Sequence, residues 1–291
     1  MSRSPNWIDI CNSEFSVALD GDSFCAETTE PRQSPIDDLI AYFRMVMPLG
    51  RKEVLEQNDV LGRVLLMGLV SGTEMYFRTV LARLIGICPI CRSNASSLTL
   101  SLAAADYYGV ENLGFGLLDN ISFAAKGEVL RATKKLTGFE WEPRRSSVGT
   151  AIDEFEKLSH LRHAAIHARG ELNPHNLGAL GLKKQSRTQL AIKFYNLQHA
   201  AEVCLNAVRA YDRFLFHQVT QRWIAHRKLT GNWKDDKDLF CRLLSLFRSK
   251  EESRGGPRFV KHIYISLQPC IAGAAKARTV NVTANTPSMV P

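Results

Sequence analysis

The sequence lacks most of the short signatures that announce a chemistry. Its 291 residues hold no glycine-rich phosphate loop of useful specificity and no GxSxG nucleophile turn. The acidic run Asp235-Asp236-Lys237-Asp238 lacks calcium-loop spacing and reads as a helix start. Cysteine is scarce: seven residues, an odd number, with no repeated paired spacing. In a cytosolic chain of this size reduced thiols are the default. Long apolar runs are missing too. The longest, Val64 to Val70, is too short to cross a bilayer, and polar Ser71 to Glu74 follow it. Met1 to Glu14 shows no basic segment followed by an apolar one, so a cytosolic chain without membrane partners is expected.

What is present is an ordinary globular mixture, 45% hydrophobic and 23% charged, which excludes global disorder. The net charge of +8 is unevenly placed. Residues 1–40 carry two basic side chains against eight acidic ones, whereas residues 220–291 carry thirteen against five. A basic body attracts polyanions such as RNA without selecting a sequence; simple solubility is the alternative.

Hydrophobic spacing predicts an all-α chain. Residues 1–33 show no helical period and read as an acidic arm. Ser34 can cap a helix begun by Pro35, with Ile36, Leu39, Ile40, Phe43 and Met47 as its apolar stripe and Pro48-Leu49-Gly50 as its end. The stretch Asp59 to Ile87 is apolar nearly all round, as a central helix covered by others would be. Gly68 and Gly72, one turn apart, could allow a close crossing. Helices are also expected at about Ser96–Tyr108, Asn120–Leu136, Ser147 to near Gly170, Thr188–Trp223 and Asp235–Phe247. Residues 170–186 read as a loop, Phe259–Leu267 as a possible strand, and 271–291 as a loose tail. The expected division is an arm at 1–33, a helical domain at 34–225, a basic extension at 226–270, and the tail.

Two candidates for chemistry stand out. Cys88-Pro-Ile-Cys91 could hold zinc only with a second ligand pair, and none occurs at metal-site spacing; two structural thiols are the simpler account. The second is Leu161-Arg162-His163-Ala164-Ala165-Ile166-His167-Ala168-Arg169-Gly170, at the end of a capped helix. His163 and His167 share a helical face, while Arg162 lies about 140° from His167. Arg162 could equally pair with Asp153, Glu154 or Glu156, and Glu74 with Arg78.

Arg162-His163-Ala164-Ala165-Ile166-His167 fits R-[N/D/H]-x3-H, the signature of the HEPN superfamily of all-helical proteins, many of them metal-independent ribonucleases. Ser71-Gly-Thr-Glu74-Met-Tyr76-Phe-Arg78 is similar to the S-x2-E-x-[YF]-x-R segment of its RiboL-PSP-like members. The resemblance spans about residues 60–220. It implies a HEPN-like helical bundle with a small C-terminal appendage, and an RNA endonuclease of toxin or antiviral type. Arg162 would clamp phosphate, His167 would act as acid and base, and His163 and Glu74 would support them. It implies no cofactor and no metal, a homodimer whose cleft lies between protomers, and an antitoxin or other partner protein. No tyrosine closely follows His167, a departure from members silenced by nucleotide transfer onto one. A non-catalytic binding or dimerisation module on the same fold is the alternative, and the acidic arm could lie across the basic cleft.

Overall fold

In the computed structural model, residues 16–27, 33–142, 145–183, 186–253, 255 and 257–284 are described. The chain divides into two units, Met1–Arg32 and Gln33–Pro291. The first shows one short helical turn, Asp22–Phe24. Most of the acidic arm, residues 1–15 and 28–32, lies outside the described residues, as do residues 285–291 of the expected tail.

The second unit is all-α and is built around one helix. α3 (Asp59–Ile87) begins where the Asn58 side chain accepts the Leu61 N–H. Its sequence is apolar enough to cross a membrane by length and composition, but its Leu66, Leu69, Phe77, Val80 and Leu81 are covered by protein. The covering helices are α1 (Pro35–Val46), α8 (Ser147–His167), α10 (Phe194–Ala225) and α11 (Trp233–Phe247). Each such side chain contributes about 1.5–3 kcal/mol relative to exposure. Phe77 is the hub. Its ring meets Tyr211 of α10 at 5.0 Å and Phe155 of α8 at 5.7 Å, both edge to face.

α1 crosses α3 closely because Gly68 and Gly72 make room for Tyr42. A Cβ on Gly72 would stand 2.7 Å from the Tyr42 ring. The first turn of α1 is also a tertiary joint. Ser34 caps it as its sequence suggests, while buried Asp37 accepts from the Ser249 hydroxyl and the Lys250 N–H.

Four short helices, α2 (Lys52–Gln57), α4 (Pro89–Ala95), α5 (Leu102–Tyr108) and α6 (Leu113–Gly116), fill the ends of this bundle, and α7 (Lys126–Thr137) packs on α4 and α8. Local chemistry shifts several boundaries. Ser101 caps α5, so that helix starts after the expected Ser96, and α7 starts after the expected Asn120. Cys88 and Pro89 open α4, which periodicity alone does not reveal in seven residues. α8 starts at Ser147 as expected, and the residue before it, Ser146, caps it by accepting from the Gly149 N–H.

Larger corrections concern the last third. Residues 170–186 are not a plain loop: β1 (Glu171–Leu172) pairs antiparallel with β2 (Thr188–Gln189), and α9 (Pro174–Ala179) lies between them. The helix expected from Thr188 therefore begins only at Phe194, where Lys193 and Asn196 close its first turn. Phe259–Leu267 is not a strand, and residues 271–284 are not loose. Both belong to α12 (Pro257–Ala284). The reason is visible in spacing: Val260, Ile263, Tyr264, Leu267, Ile271 and Ala274 recur every three or four residues and face the core.

The extension drawn at 226–270 is not a separate piece, because α11 and α12 share the main core. Buried Asp236 ties them, accepting from the Thr230 and Gly231 N–H groups and from the Tyr264 hydroxyl.

Candidate functional site

α8 carries the candidate motif, and its C-terminal end is set by backbone geometry. The helix stops at His167. Arg169 and Gly170 then take positive φ, 50° and 92°, and the Gly170 N–H returns to the Ala164 carbonyl at 2.9 Å. The sequence suggests that Gly170 bares the backbone to a docking group. The group found there is internal: the Arg63 guanidinium of α3 donates to the Arg169 carbonyl at 2.6 Å. A Cβ on Gly170 would stand 2.4 Å from Arg63 Nη1.

The β1–α9–β2 excursion folds back over α8. Leu172 and Leu177 pack on Ala164 in a small core of their own, with Leu161 beside them. Asn173 caps α9 by accepting the Asn176 N–H at 2.8 Å, and Pro174 occupies its first position. This brings the start of α9 alongside residues 156–163 of α8. The space between them, closed on a third side by Ala124 and Ala125, is a cleft of about 220 Å³.

Arg162 and His163 both line that cleft. Arg162 stands 3.8 Å from Glu74 Oε1 of α3, an ion pair too long for a hydrogen bond. Its guanidinium donates no hydrogen bond among the described residues, and its buried Nε is without a partner. Glu74 receives the Ser122 hydroxyl at 3.3 Å on its other oxygen. The nearer acids of α8 are taken: Glu154 pairs with Lys157, Asp153 with Lys126, and Glu156 accepts the Lys126 N–H. Nor does Arg78 turn to Glu74; it donates to the carbonyls of Leu118 and Ile121.

His167 is placed differently. It is exposed at the helix end, with its ring 4.6 Å from the His163 ring, and it is not among the residues that line the cleft. Within one chain, the cleft therefore joins Arg162 to His163, and His167 only through His163.

Three cleft residues were not expected from sequence. His160 precedes the motif, and its ring meets that of His175 of α9 at 5.4 Å. Asn176, also of α9, is 1% exposed. His160 was legible in principle, being three residues before His163 on one helical face. His175 and Asn176 were not, because only the folded excursion brings them near.

Among the described residues, no group of three or more His, Cys, Asp or Glu side chains is arranged to hold a metal ion. Cys88 and Cys91 are buried against α10, where the Trp223 indole N–H donates to Cys88 Sγ at 3.2 Å. The neighbouring Cys91 thiol, and to a lesser extent the Trp223 bond, lower the Cys88 pKa to about 6, and the Cys91 thiol is pushed up in turn. The pair is enclosed and distant in sequence from the cleft, consistent with a structural role.

No family model, curated protein or solved structure matches the chain.

Proposed function

We propose that the protein is a metal-independent RNA endonuclease of HEPN type, with the cleft beside α8 as its active site. The observation that carries this reading is the state of Arg162. Its guanidinium faces a cleft bearing three imidazoles and, among the described residues, is held by a long ion pair with Glu74. Such a cation can fork onto the two non-bridging oxygens of a phosphate.

Imidazoles supply the rest of the chemistry. The RNA 2′-hydroxyl attacks the adjacent phosphorus as one imidazole takes its proton. The bond to the 5′-oxygen breaks, and an imidazolium protonates that leaving oxygen. The products are a 2′,3′-cyclic phosphate and a free 5′-hydroxyl. Arg162 offsets the charge that builds on the phosphorane oxygens. His167 is the acid–base residue of the motif, and its ring neighbour His163 connects it to the cleft. A toxin or antiviral role, restrained by a partner protein, accompanies this activity in the family resembled.

RNA incubated with the full chain in EDTA should yield cyclic-phosphate ends, and Arg162→Ala or His167→Ala should lower the rate at least 100-fold. Unchanged cleavage in both variants would remove the site assignment.

A second reading, a non-catalytic module that pairs with a second copy of itself, is favoured by one surface. Val60, Val64 and Met75 of α3 are 61%, 52% and 56% exposed and fall within about 60° of one another around the helix. Light scattering on Val64→Glu separates the readings. A monomeric variant that still cleaves RNA keeps the nuclease, and a dimer essential to a function indifferent to Arg162→Ala supports the module.

A further inference from the structure

The cleft contains a side chain that phosphate chemistry does not use. Asn176 lines it, is 1% exposed, and has no hydrogen-bond partner at Oδ1 or at Nδ2 among the described residues. A buried amide left wholly unsatisfied is destabilising, because it has given up its hydrogen bonds to water and gained none in return. The fold does not require it there. The helix cap uses only the Asn176 main-chain N–H, which Asn173 accepts, and any residue would supply that. An amide with both ends unmet, at the wall of a cleft, suits a ligand that offers one donor and one acceptor side by side.

The neighbours narrow the ligand further. His175 precedes Asn176, is exposed, and sits edge to face with His160, so flat π surfaces line the same cleft as the amide. Arg162 on the same cleft suits a phosphate. The one carboxylate there, Glu156, has an oxygen committed to the Lys126 N–H. A volume of about 220 Å³ is below that of ordinary drug-sized pockets and matches one ring system. A flat heterocycle with adjacent donor and acceptor, joined to a phosphate, is a nucleotide. Every unstacked base offers such a pair on its Watson–Crick edge, but only adenine repeats it on the Hoogsteen edge, as N6–H with N7, so it can meet an asparagine amide in bidentate fashion from either side.

We propose that Asn176 reads a single unstacked adenine next to the phosphate held by Arg162, with His175 as its stacking surface. The inference rests on the RNA reading above and adds a base preference to it. Single-stranded RNA is recognised by this combination of stacking and edge contacts.

The test uses the full chain and 2′-O-methyl oligouridylates, which lack the attacking hydroxyl. The central base is A, G, C or U, and binding is followed by fluorescence anisotropy. The wild type should bind the adenine strand about tenfold or more tightly than the others, the discrimination of one bidentate pair. Asn176→Ala should abolish the preference while leaving affinity for the all-uridine strand unchanged. Asn176→Asp keeps the shape but presents only acceptors, and should turn the preference toward guanine, whose N1–H and N2–H donate side by side. Arg162→Ala should weaken all four strands alike.

Equal binding of the four strands by the wild type, or an adenine preference that survives in Asn176→Ala, overturns the proposal. Free adenosine monophosphate competing as well as the adenine strand overturns the strand and favours a mononucleotide. The two readings fail separately. Adenine preference without cleavage of ordinary RNA sinks the nuclease, whereas cleavage without base preference sinks only the role of Asn176.

Discussion

Arg162 of α8 and Glu74 of α3 face each other at 3.8 Å, near enough for attraction and too far for a hydrogen bond. The two residues lie 88 positions apart in the chain. Removing the carboxylate frees the guanidinium of the one fixed partner it has among the described residues. Glu74→Ala should lower RNA cleavage about tenfold, with Glu74→Gln recovering little, because charge rather than shape holds the arginine. The stability cost should stay below about 1 kcal/mol, since Arg162 remains partly in water. Melting curves and rates on the same preparations check both halves.

Asp212 of α10 makes the protein's stability depend on pH. It is 8% exposed and accepts the Tyr76 hydroxyl at 2.8 Å. Burial, with smaller contributions from Glu252 and Asp37, pushes its carboxyl up to about 8, against an ordinary value of 3.8. The folded state therefore keeps a proton that the unfolded chain releases. Its stabilising effect is complete below about pH 4, shrinks as pH rises toward 8, and is level above that. Asp212→Asn should remove this fall, worth on the order of a few kcal/mol. Melting temperatures from pH 5 to 8 should converge at the acid end and diverge at the alkaline end.

Two glycines of α3 should respond in opposite directions to alanine. A Cβ on Gly62 would meet the Ile192 carbonyl oxygen at 2.3 Å, a backbone atom that cannot step aside. Gly62→Ala should cost roughly 1–3 kcal/mol from overpacking. At Gly68 the nearest atom is the Tyr42 hydroxyl, at 3.1 Å on the end of a side chain. Gly68→Ala should be neutral or stabilising by up to about 1 kcal/mol through helix propensity. Urea midpoints compared with the parent chain decide it.

Asp37 should prove to be a tertiary joint rather than a helix-dipole residue. Its buried carboxylate accepts Ser249 Oγ–H at 2.5 Å and Lys250 N–H at 2.9 Å. Asp37→Ala strands both donors and should cost roughly 2–3 kcal/mol, far more than loss of a dipole interaction at an exposed first turn. Asp38→Ala serves as the comparison and should cost less than about 1 kcal/mol. Chemical denaturation of the two variants distinguishes them.

Local chemistry determined a good deal of this protein. Capping and spacing are short-range, so Ser34, the bounds of α3 and the all-α class can be read from the chain itself. The same reasoning places Arg162, His163 and His167 on one helix and fixes the angle between them. Tertiary structure decided where those side chains go. It paired Arg162 with Glu74 rather than with the acids on its own helix, and kept His167 at the rim against His163. It also laid α9 over α8, carrying His175 and Asn176 into the cleft. The excursion from Glu171 to Gln189 is too short to show a period, and it is held by Leu172 and Leu177 against another element. Burial against a distant partner leaves no trace in local spacing, which is why the helix was legible and the cleft beside it was not.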